Sequence, residues 1–386
     1  MNVAILGYGV VGSGVETIIS EQLGDKEPIK VVKIWNRPNK TKQIPYFVSD
    51  IEEIINDPSI ECVVEALNGI HPAYEHIMAC LKKGKHVVSA NKAVVAAFFE
   101  EFQQVAHDNQ VYFKYEASVG GGIPWIKELK RAKRTDAISS ISGILNGTSN
   151  YILSTMAKAH LSFSDVLLDA QELGYAEADP SADIDGFDIL NKLIISSYVA
   201  FEARVKPDDF LRLSMRGVTL EDSQYFHNLG YELKYLGTAN VENESLEGDV
   251  MLTACSKQSL EANTSLNYNC VSLVVETIGT LSFYGQGAGQ LPTAHSMVQD
   301  LLDIANEPHQ IKLNPVKDIS NKGLKMYQFV VRSQQSIPES FVKREDQGYC
   351  YLLPMSQLRF KEVVMPLLEE TDLVVKMEEL RGECGD

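Results

Sequence analysis

Short apolar runs alternate with helical patterns over the first third of the chain. Strand-like runs lie at 2–6, 29–35, 60–67, 85–89 and 111–115, and helical patterns lie at 13–19, 72–82 and from about 93 to 107. Strands that alternate with helices in this way pair in parallel. The pattern therefore predicts an α/β fold whose N-terminal part is a doubly wound parallel sheet of the Rossmann type.

The pattern changes after about residue 124. A helix is expected at about 124–133, a strand at 137–145, and a polar turn at 146–150 that can cap the next helix. A further helix starts near Pro292 and runs to about 305. From about 320, strands are predicted at 325–331, 348–353 and 373–377, with a helix at 360–369. This part of the chain indicates an α+β arrangement.

Composition narrows the class of protein. The 386 residues carry 52 acidic and 35 basic side chains, a net charge of −17, which argues against nucleic acid as a partner because a phosphate backbone needs a basic face. The six cysteines are scattered, with no Cys-x-x-Cys pair to indicate zinc, and are expected to be reduced thiols of a cytoplasmic protein. Neither a signal peptide nor a bilayer-spanning apolar run is expected.

The most specific local motif directly follows the first strand. Gly7, Gly9 and Gly12 form a G-x-G-x-x-G loop that opens a helix. The first glycine permits the tight turn, the second lets the backbone approach a pyrophosphate, and the third allows the helix to pack on the strand. The loop predicts dinucleotide binding at the helix N-terminus; a purely structural turn is the alternative.

The end of the second strand bears on cofactor choice. Asn36 and Arg37 stand where NAD-preferring enzymes usually place a carboxylate. Arg37 can instead contact a 2′-phosphate, which favours NADP(H) and leaves NAD(H) possible; a solvated turn residue is the alternative. Ligands bind at the carboxyl ends of parallel strands. The topology therefore also predicts that ligand-binding or catalytic residues lie at 66–69, at 89–92 and in the stretch from Glu116 onward.

A second group of chemical side chains lies at 177–192. Five carboxylates fall within the twelve residues 177–188, followed by Lys192. The spacing of Asp185, Asp188 and Lys192 predicts that they share one helix face. An ordinary exposed ion pair is the alternative, but carboxylates at this density favour a site that binds a cation or positions a proton donor.

At these residues the chain resembles homoserine dehydrogenase, from residue 1 to about 310. The matching segments are the loop 7–14, Ser-Ala-Asn-Lys-Ala at 89–93, 116–124, 143–151, 174–188 and 287–294. The resemblance implies reversible reduction of L-aspartate 4-semialdehyde to L-homoserine by NAD(P)H, a step toward threonine, methionine and isoleucine.

The resemblance also implies roles for individual residues. Lys192 would protonate the carbonyl oxygen, and Asp183 would orient either that lysine or the reacting oxygen. Lys92 would stabilise the alkoxide or the substrate carboxylate. The substrate would contact Gly174, Tyr175, Glu177, Asp183, Asp188 and Lys192. Together with the loop and strand ends, the predicted cofactor residues are Gly7, Gly9, Val10, Val11, Gly12, Asn36, Arg37, Asn68, Ser89, Lys92 and Gly287.

A monovalent cation, usually sodium, belongs to the same resemblance. Its ligands would be Glu116 and the backbone oxygens of Val119, Gly121 and Ile123; the alternative is that the glycine run 120–122 forms only a flexible crossover. A homodimer is likewise implied. Many members of the family have two glycines where this chain has Asn68-Gly69, and this difference is expected to be benign.

Three domains follow. Residues 1–127 with about 288–318 would form the NADP(H)-binding domain, 128–287 the substrate and dimerisation domain, and 319–386 a degenerate unit similar to the ACT domains that bind amino-acid effectors. This tail is short for such a domain and lacks a clear first helix. Rival functions are a Rossmann oxidoreductase for another amino-acid-derived carbonyl, or an inactive nucleotide-binding sensor, against which Lys92, Asp183 and Lys192 argue.

Overall fold

A computed structural model describes residues 1–24, 27–36, 45–306, 313 and 315–378. The chain forms two compact units, Met1–Arg131 with Gly285–Val316 and Ala132–Tyr284 with Lys317–Asp386. Arg37 lies outside the described residues. Over the described ranges, no helix is both long enough and apolar enough to cross a bilayer.

The first unit contains a parallel sheet. Its strands are β1 (Asn2–Leu6), β2 (Lys30–Trp35), β3 (Phe47–Val48), β4 (Cys62–Glu65), β5 (His86–Ser89) and β6 (Phe113–Lys114). They pair in parallel in the order β3-β2-β1-β4-β5-β6. This is the order of a dinucleotide-binding sheet, with its reversal between β1 and β4. The predicted Rossmann-type fold is confirmed.

Helices follow the strands of this unit along the chain. They are α1 (Val10–Thr17), α2 (Glu52–Ile55), α3 (Ala73–Lys82), α4 (Lys92–Ala97), α5 (Phe99–Asp108) and α6 (Trp125–Ala132), and α1 continues into a π-helical turn at Ile18–Leu23. The helices predicted at 72–82 and 124–133 are confirmed. The one expected up to about 107 is split into α4 and α5.

The first part of the second unit, residues 132–284, contains both strands and helices. Its strands are β7 (Ile138–Ile144), β8 (Ala203–Arg204), β9 (Phe210–Arg212), β10 (Tyr231–Glu242), β11 (Ser245–Ser256), β12 (Tyr268–Val275) and β13 (Gly279–Gln286). Its helices are α7 (Gly147–Ala159), α8 (Phe163–Glu172), α9 (Ser181–Ile184), α10 (Phe187–Phe201), α11 (Leu220–Asn228) and α12 (Leu260–Asn263).

The chain then returns to the first unit. Helix α13 (Gln290–Asn306) buries Ala294, Met297 and Leu301 in one apolar cluster with Val3 and Val15. The return helix predicted from the sequence is therefore present, and it packs in the core of the nucleotide-type unit.

The remaining residues belong to the second unit. They form β14 (Lys317–Asp318), β15 (Phe329–Arg332), β16 (Val342–Asp346), β17 (Tyr349–Leu352), α14 (Gln357–Val363) and β18 (Leu373–Met377). The large sheet has the order β13-β12-β7-β10-β11-β18-β15-β17-β16, with β9 also paired to β11. The last strand, β18, runs parallel to β11.

We refer to residues 325–378 as the tail. Its strands pair antiparallel in the order fourth, first, third, second, which is the order of a split βαβ sheet. A single 3₁₀ turn at Glu339–Phe341 connects the first two strands where such a unit has a helix. The tail groups with 132–284 rather than standing as a third unit, and its ACT-like character stays a prediction.

A buried ion pair joins the tail to the rest of its sheet. Lys376 on β18 donates to both oxygens of Asp249 on β11, at 2.6 and 2.5 Å, and both residues are buried. Thr238 accepts a further bond from the same ammonium at 3.0 Å. Because an unpaired charge would be costly here, this pairing specifies where the last strand adds.

Two tail elements differ from expectation for local reasons. The predicted helix at 360–369 lies at Gln357–Val363 and is followed by a 3₁₀ turn at Met365–Leu367, since Pro366 cannot continue it. Strand β16 was missed because its sequence, Val-Lys-Arg-Glu-Asp, is mostly charged. Charged residues are common on such edge strands, where they discourage pairing with other chains.

Candidate active site

The glycine loop closes the carboxyl end of β1 and begins α1. Gly7 has a φ of +95°, and a Cβ there would lie 2.7 Å from the carbonyl oxygen of Ala66. A Cβ at Gly12 would overlap the carbonyl oxygen of Gly7. Gly9 differs, because nothing lies within 4 Å of the position its Cβ would take, and Val10 is 67% exposed. The first turn of α1 is thus approachable by an anion from the Gly9 side.

Gly9→Ala is expected to separate cofactor binding from folding. The added methyl group has space in the cofactor-free protein but would lie where a pyrophosphate approaches the backbone. We expect the dissociation constant for NADPH, measured by fluorescence titration, to rise about tenfold with an almost unchanged Tm. Gly12→Ala is the comparison and should both weaken NADPH binding and lower the Tm, because its Cβ would overlap the Gly7 carbonyl oxygen. Unchanged NADPH affinity in Gly9→Ala would contradict the loop's assignment.

A buried carboxylate joins the carboxyl ends of β4 and β5. Glu65 is fully buried; its Oε1 accepts from the Leu67 amide at 2.8 Å and its Oε2 from the Ser89 hydroxyl at 2.5 Å. Ser89 Oγ in turn accepts from the Asn91 amide at 3.1 Å. Ser89 is a predicted cofactor residue, whereas the sequence indicated only a strand position for Glu65.

Asn91 extends this network in two directions. Its Nδ2 donates to the carbonyl oxygen of Gly69 at 2.7 Å, and its Oδ1 caps α4 by accepting from Val94. Helix α4 starts at Lys92. The loops that carry the predicted residues Asn68 and Lys92 are therefore held together through the Glu65 network.

Burial raises the pKa of Glu65 from its usual 4.5 to about 7, against hydrogen bonds from Ser89 and Leu67 that lower it. The folded state thus keeps a proton that the unfolded chain has lost, so this contribution to stability is present below pH 4.5 and is lost as pH rises through 7. Over that window, the expected loss is roughly 3 kcal/mol in the free energy of unfolding.

Glu65→Gln should reduce this pH dependence. We expect the Tm difference between pH 5 and pH 8, values that span most of the interval from 4.5 to 7, to be smaller than in the wild type because the amide does not titrate. Scanning calorimetry of the cofactor-free protein measures it. Glu21→Gln, at an exposed helical position, is the control. An equal Tm difference in Glu65→Gln and the wild type would refute the raised pKa assigned to Glu65.

The predicted cation ligands belong to one short stretch of the first unit, residues 116–123. Both carboxylate oxygens of Glu116 accept backbone N–H bonds at the start of α6, from Ile126 and Lys127 at 2.9 Å. Burial, with Asp300 as the second cause, raises the pKa of Glu116 to about 8. A buried anion in this setting is stabilised by a cation as well as by a proton.

The backbone around Gly121 is crowded. Its carbonyl oxygen accepts from Ser296 Oγ at 2.6 Å, and a Cβ at this position (φ +55°) would lie 2.5 Å from the carbonyl carbon of Gly287. The predicted cation residue Gly121 and the predicted cofactor residue Gly287 are thus in backbone contact. The described chain has no cluster of three or more His, Cys, Asp or Glu side chains that could hold a metal ion, so any cation here would use mainly backbone oxygens.

The second unit brings the predicted residues Lys192, Asp188 and Asp183 together with Asn146. Lys192 Nζ donates to Asp188 Oδ2 at 2.7 Å and to the Leu145 carbonyl oxygen at 2.5 Å. Asn146 Nδ2 donates to Asp183 Oδ1 at 2.6 Å and to Asp188 Oδ2 at 2.9 Å. Lys192, Asp188 and Asn146 are buried, whereas Asp183 is partly exposed. We call these four side chains the lysine–carboxylate cluster.

Local structure explains the position of Asn146. The strand β7 ends at Ile144, and Asn146 is the N-cap of α7, with its Oδ1 accepting from the Ser149 amide at 2.8 Å. Its amide nitrogen is then directed to the carboxylates. The sequence predicted the cap, but it contained no signal for the bonds to Asp183 and Asp188, which lie about forty residues further along the chain.

One sequence prediction in this region is wrong. Asp185 does not share a helix face with Asp188 and Lys192, because α10 begins only at Phe187. Gly186 interrupts the helix with a φ of +80°. The Asp185 carboxylate instead accepts from Arg216 Nε and Nη2 at 2.7 and 2.8 Å, a contact that lowers its pKa. Asp185 is a structural anion.

The loop 174–177 is attached beside α7. The carbonyl oxygen of Tyr175 accepts from Thr148 Oγ1 at 2.6 Å, and the rings of Tyr175 and Tyr151 lie 5.0 Å apart. Gly174, Tyr175 and Glu177 are exposed. The structure therefore leaves the Glu177 carboxylate at the surface, while Thr148 connects its loop to the helix that Asn146 caps.

Two family models match the chain. The model described as the NAD binding domain of homoserine dehydrogenase matches residues 7–116, and the one described as homoserine dehydrogenase matches 124–302. The first includes the glycine loop and the Glu65 network. The second includes the lysine–carboxylate cluster.

Individual relatives are consistent with this. A homoserine dehydrogenase of Synechocystis is 38% identical over 82% of this chain and 76% of its own length. The crystal structure of a homoserine dehydrogenase from Thiobacillus denitrificans is 29% identical, with a TM-score of 0.86 over 98% of each chain. A hyperthermophilic archaeal homoserine dehydrogenase in complex with NADPH shares the fold at 22% identity, with a TM-score of 0.68 over 81% of this chain and 99% of that one.

Proposed function

Because this chain belongs to the homoserine dehydrogenase family, and is therefore an NAD(P)-dependent oxidoreductase of amino-acid biosynthesis, we propose that Lys192 is the proton donor in its reversible reduction of L-aspartate 4-semialdehyde to L-homoserine. The observation that carries this proposal is the lysine–carboxylate cluster. It holds one ammonium group among acceptors at 2.5 and 2.7 Å.

The bound nicotinamide would supply the hydride to the carbonyl carbon of the aldehyde, or accept it in the reverse direction. Lys192 would give a proton to the carbonyl oxygen in the same step, which balances the reduction to an alcohol. The Leu145 carbonyl oxygen and Asp188 orient the ammonium group. Asp183, held by the Asn146 amide, would orient the reacting oxygen or the lysine.

Charge complementarity supports the substrate assignment. An α-amino acid presents an ammonium group and a carboxylate, so its site needs both signs of charge. Glu177 and Asp188 are proposed for the ammonium group, with Gly174 and Tyr175 in contact with the substrate. Lys92, at the start of α4, is proposed as the cation for the carboxylate or the developing alkoxide.

For the cofactor, we propose NADP(H) as the preferred form, bound through the glycine loop with Val10, Val11, Asn36, Asn68, Ser89 and Gly287. Loop geometry supports dinucleotide binding: the Gly9 side is open, and the N-terminus of α1 favours phosphate. Support for the 2′-phosphate comes from Arg37 in the sequence, and the fold is shared with a protein solved with NADPH.

One assay series tests the function. Purified protein should oxidise L-homoserine with NADP⁺ in alkaline buffer and consume NADPH with aspartate semialdehyde, with lower kcat/KM for NADH. Added threonine would reveal any effector response of the tail. Activity on other hydroxy acids but not homoserine would favour the rival oxidoreductase, and NADPH binding without any turnover would favour a sensor.

A sodium ion is proposed beside Glu116, with backbone oxygens of Val119, Gly121 and Ile123. The donor set fits a hard cation, since it consists of carboxylate and carbonyl oxygens, and the buried Glu116 needs charge compensation. Sodium chloride should raise the Tm of the wild type above that in choline chloride of equal ionic strength. The same gain in Glu116→Gln would contradict the site.

A homodimer is also proposed, on the strength of family membership. Sedimentation at several protein concentrations measures the mass directly. A monomer at all concentrations would contradict it.

A further inference from the structure

The short segment 183–188, which we call the substrate turn, is held by one neighbouring stretch of chain. The Met215 amide donates to the Ile184 carbonyl oxygen at 3.0 Å, and Ser214 Oγ donates to Asp185 Oδ1 at 2.8 Å. Arg216 adds the paired bonds to the Asp185 carboxylate, and Arg212 Nη1 donates to the Asp185 carbonyl oxygen at 2.6 Å. The segment 210–216 thus holds both backbone and side chain of the turn.

Most of these bonds hold Asp185, which lies in the sequence between the two proposed substrate carboxylates. Asp185 lies two residues after Asp183 and three before Asp188. Arg212 also extends along the turn, with its guanidinium carbon 3.9 Å from the centroid of the Phe187 ring. Arg212 therefore bonds to the backbone of the turn that carries Asp183 and Asp188, and Arg216 bonds to the Asp185 side chain between them.

The turn has little space to rearrange. At Gly186 a Cβ would lie 2.7 Å from Val250 and would overlap the hydroxyl of Tyr235. The turn is thus packed directly on β10 and β11, and the contacts of Arg212 and Arg216 limit its remaining freedom. Interiors packed to this density transmit small displacements rather than absorb them.

The same segment contacts the tail through its other residues. Leu211, next to Arg212, is fully buried in one apolar cluster with Met251, Phe329 and Val331. Neighbouring strand residues point to opposite faces, so β9 presents Leu211 to the tail and Arg212 to the substrate turn. Arg332 of the tail donates to the Gly217 carbonyl oxygen at 2.7 Å, directly after Arg216.

We propose that Arg212 and Arg216 are positioning residues for the substrate carboxylates, and that β9 couples their placement to the packing of the tail. The inference rests on the proposed function. It gives the tail a structural role in substrate binding, separate from any effector site.

The first test compares variants of Arg216. Arg216→Gln should raise the KM for homoserine about tenfold, the scale of losing charge-assisted hydrogen bonds, with the KM for NADP⁺ almost unchanged. Arg216→Lys should recover part of the loss, since it keeps the charge but not the paired geometry. Arg131→Gln, at an exposed position of the other unit, is the control. Equal changes in both KM values, or none, would overturn the positioning role.

Hydrogen exchange of the cofactor-free protein provides a readout that needs no activity. Amides of 183–190 should exchange faster in Arg216→Gln than in the wild type, and not in the control. If wild-type protein fails to oxidise homoserine, the proposed function is wrong, and exchange still decides whether the arginine holds the turn. Unchanged exchange would refute the inference.

The coupling to the tail is tested by a matched pair. Leu211→Ala and Val331→Ala both remove a fully buried side chain from the same cluster, and each should lower the Tm. Both should also raise the KM for homoserine selectively, Leu211→Ala because the residue lies on β9 and Val331→Ala because the residue belongs to the tail side of the same cluster. A wild-type KM in Val331→Ala, despite a lowered Tm, would show that β9 does not couple the tail to the turn.

Discussion

Replacing Lys192 with methionine is expected to lower kcat for homoserine oxidation by about 10³-fold, within the range for a lost acid–base group. Methionine fills a similar volume in this buried position but can neither donate nor accept the proton. The glycine loop belongs to the other unit, so the dissociation constant for NADPH should be nearly unchanged. Stopped-flow rates and fluorescence titration measure the two quantities.

Lys158→Met is the control for this experiment, because Lys158 is exposed on α7 of the same unit. It should retain wild-type turnover. Turnover of Lys192→Met within tenfold of the wild type, a smaller loss than acid–base catalysis explains, would refute the proton-donor role. A loss of NADPH binding in the same variant would indicate unfolding rather than chemistry, and far-UV circular dichroism distinguishes the two.

Asn146→Asp should have the second largest effect. Aspartate remains a good N-cap, so the bond to the Ser149 amide can persist, but it cannot donate to Asp183 and Asp188 and adds a third carboxylate beside them. Like charges in a buried site disfavour ionisation. We expect kcat/KM for homoserine to fall about 10²-fold, which corresponds to the loss of two charge-assisted hydrogen bonds.

Asn146→Ser is the companion variant. Serine also caps helices and introduces no charge, so its kcat/KM should lie between those of the wild type and Asn146→Asp. The Tm values of both variants report whether the cap survives. Wild-type kcat/KM in Asn146→Asp would show that the amide contacts have no part in catalysis.

The sequence predicted those features whose cause is local. The glycine loop, the parallel sheet and the last strand at Leu373–Met377 follow from spacing and apolar pattern, and the structure confirms them. Lys192 and Asp188 are four residues apart on one helix, so their contact also has a local cause.

Features that depend on distant contacts were not predicted. Asn146 gives only the signal of a helix cap, and Glu65 only that of a charged residue within an apolar strand. Their roles arise from partners 42 and 24 residues away, Asp188 and Ser89 respectively. Asp185 was placed on the helix because spacing alone ignores the interruption at Gly186, where the backbone adopts a conformation that glycine favours.

The pairing of β11 with β18 has a consequence for synthesis of the chain. Leu252 lies beside Val375, so the large sheet cannot be completed until the residues of β18 have left the ribosome. Before then, β9 can pair with three residues along this edge of β11, but the residues of β11 that pair with β18 have no partner there. Open edges of this kind pair readily with other chains. Truncation before Leu373 should therefore favour aggregation over a smaller folded enzyme.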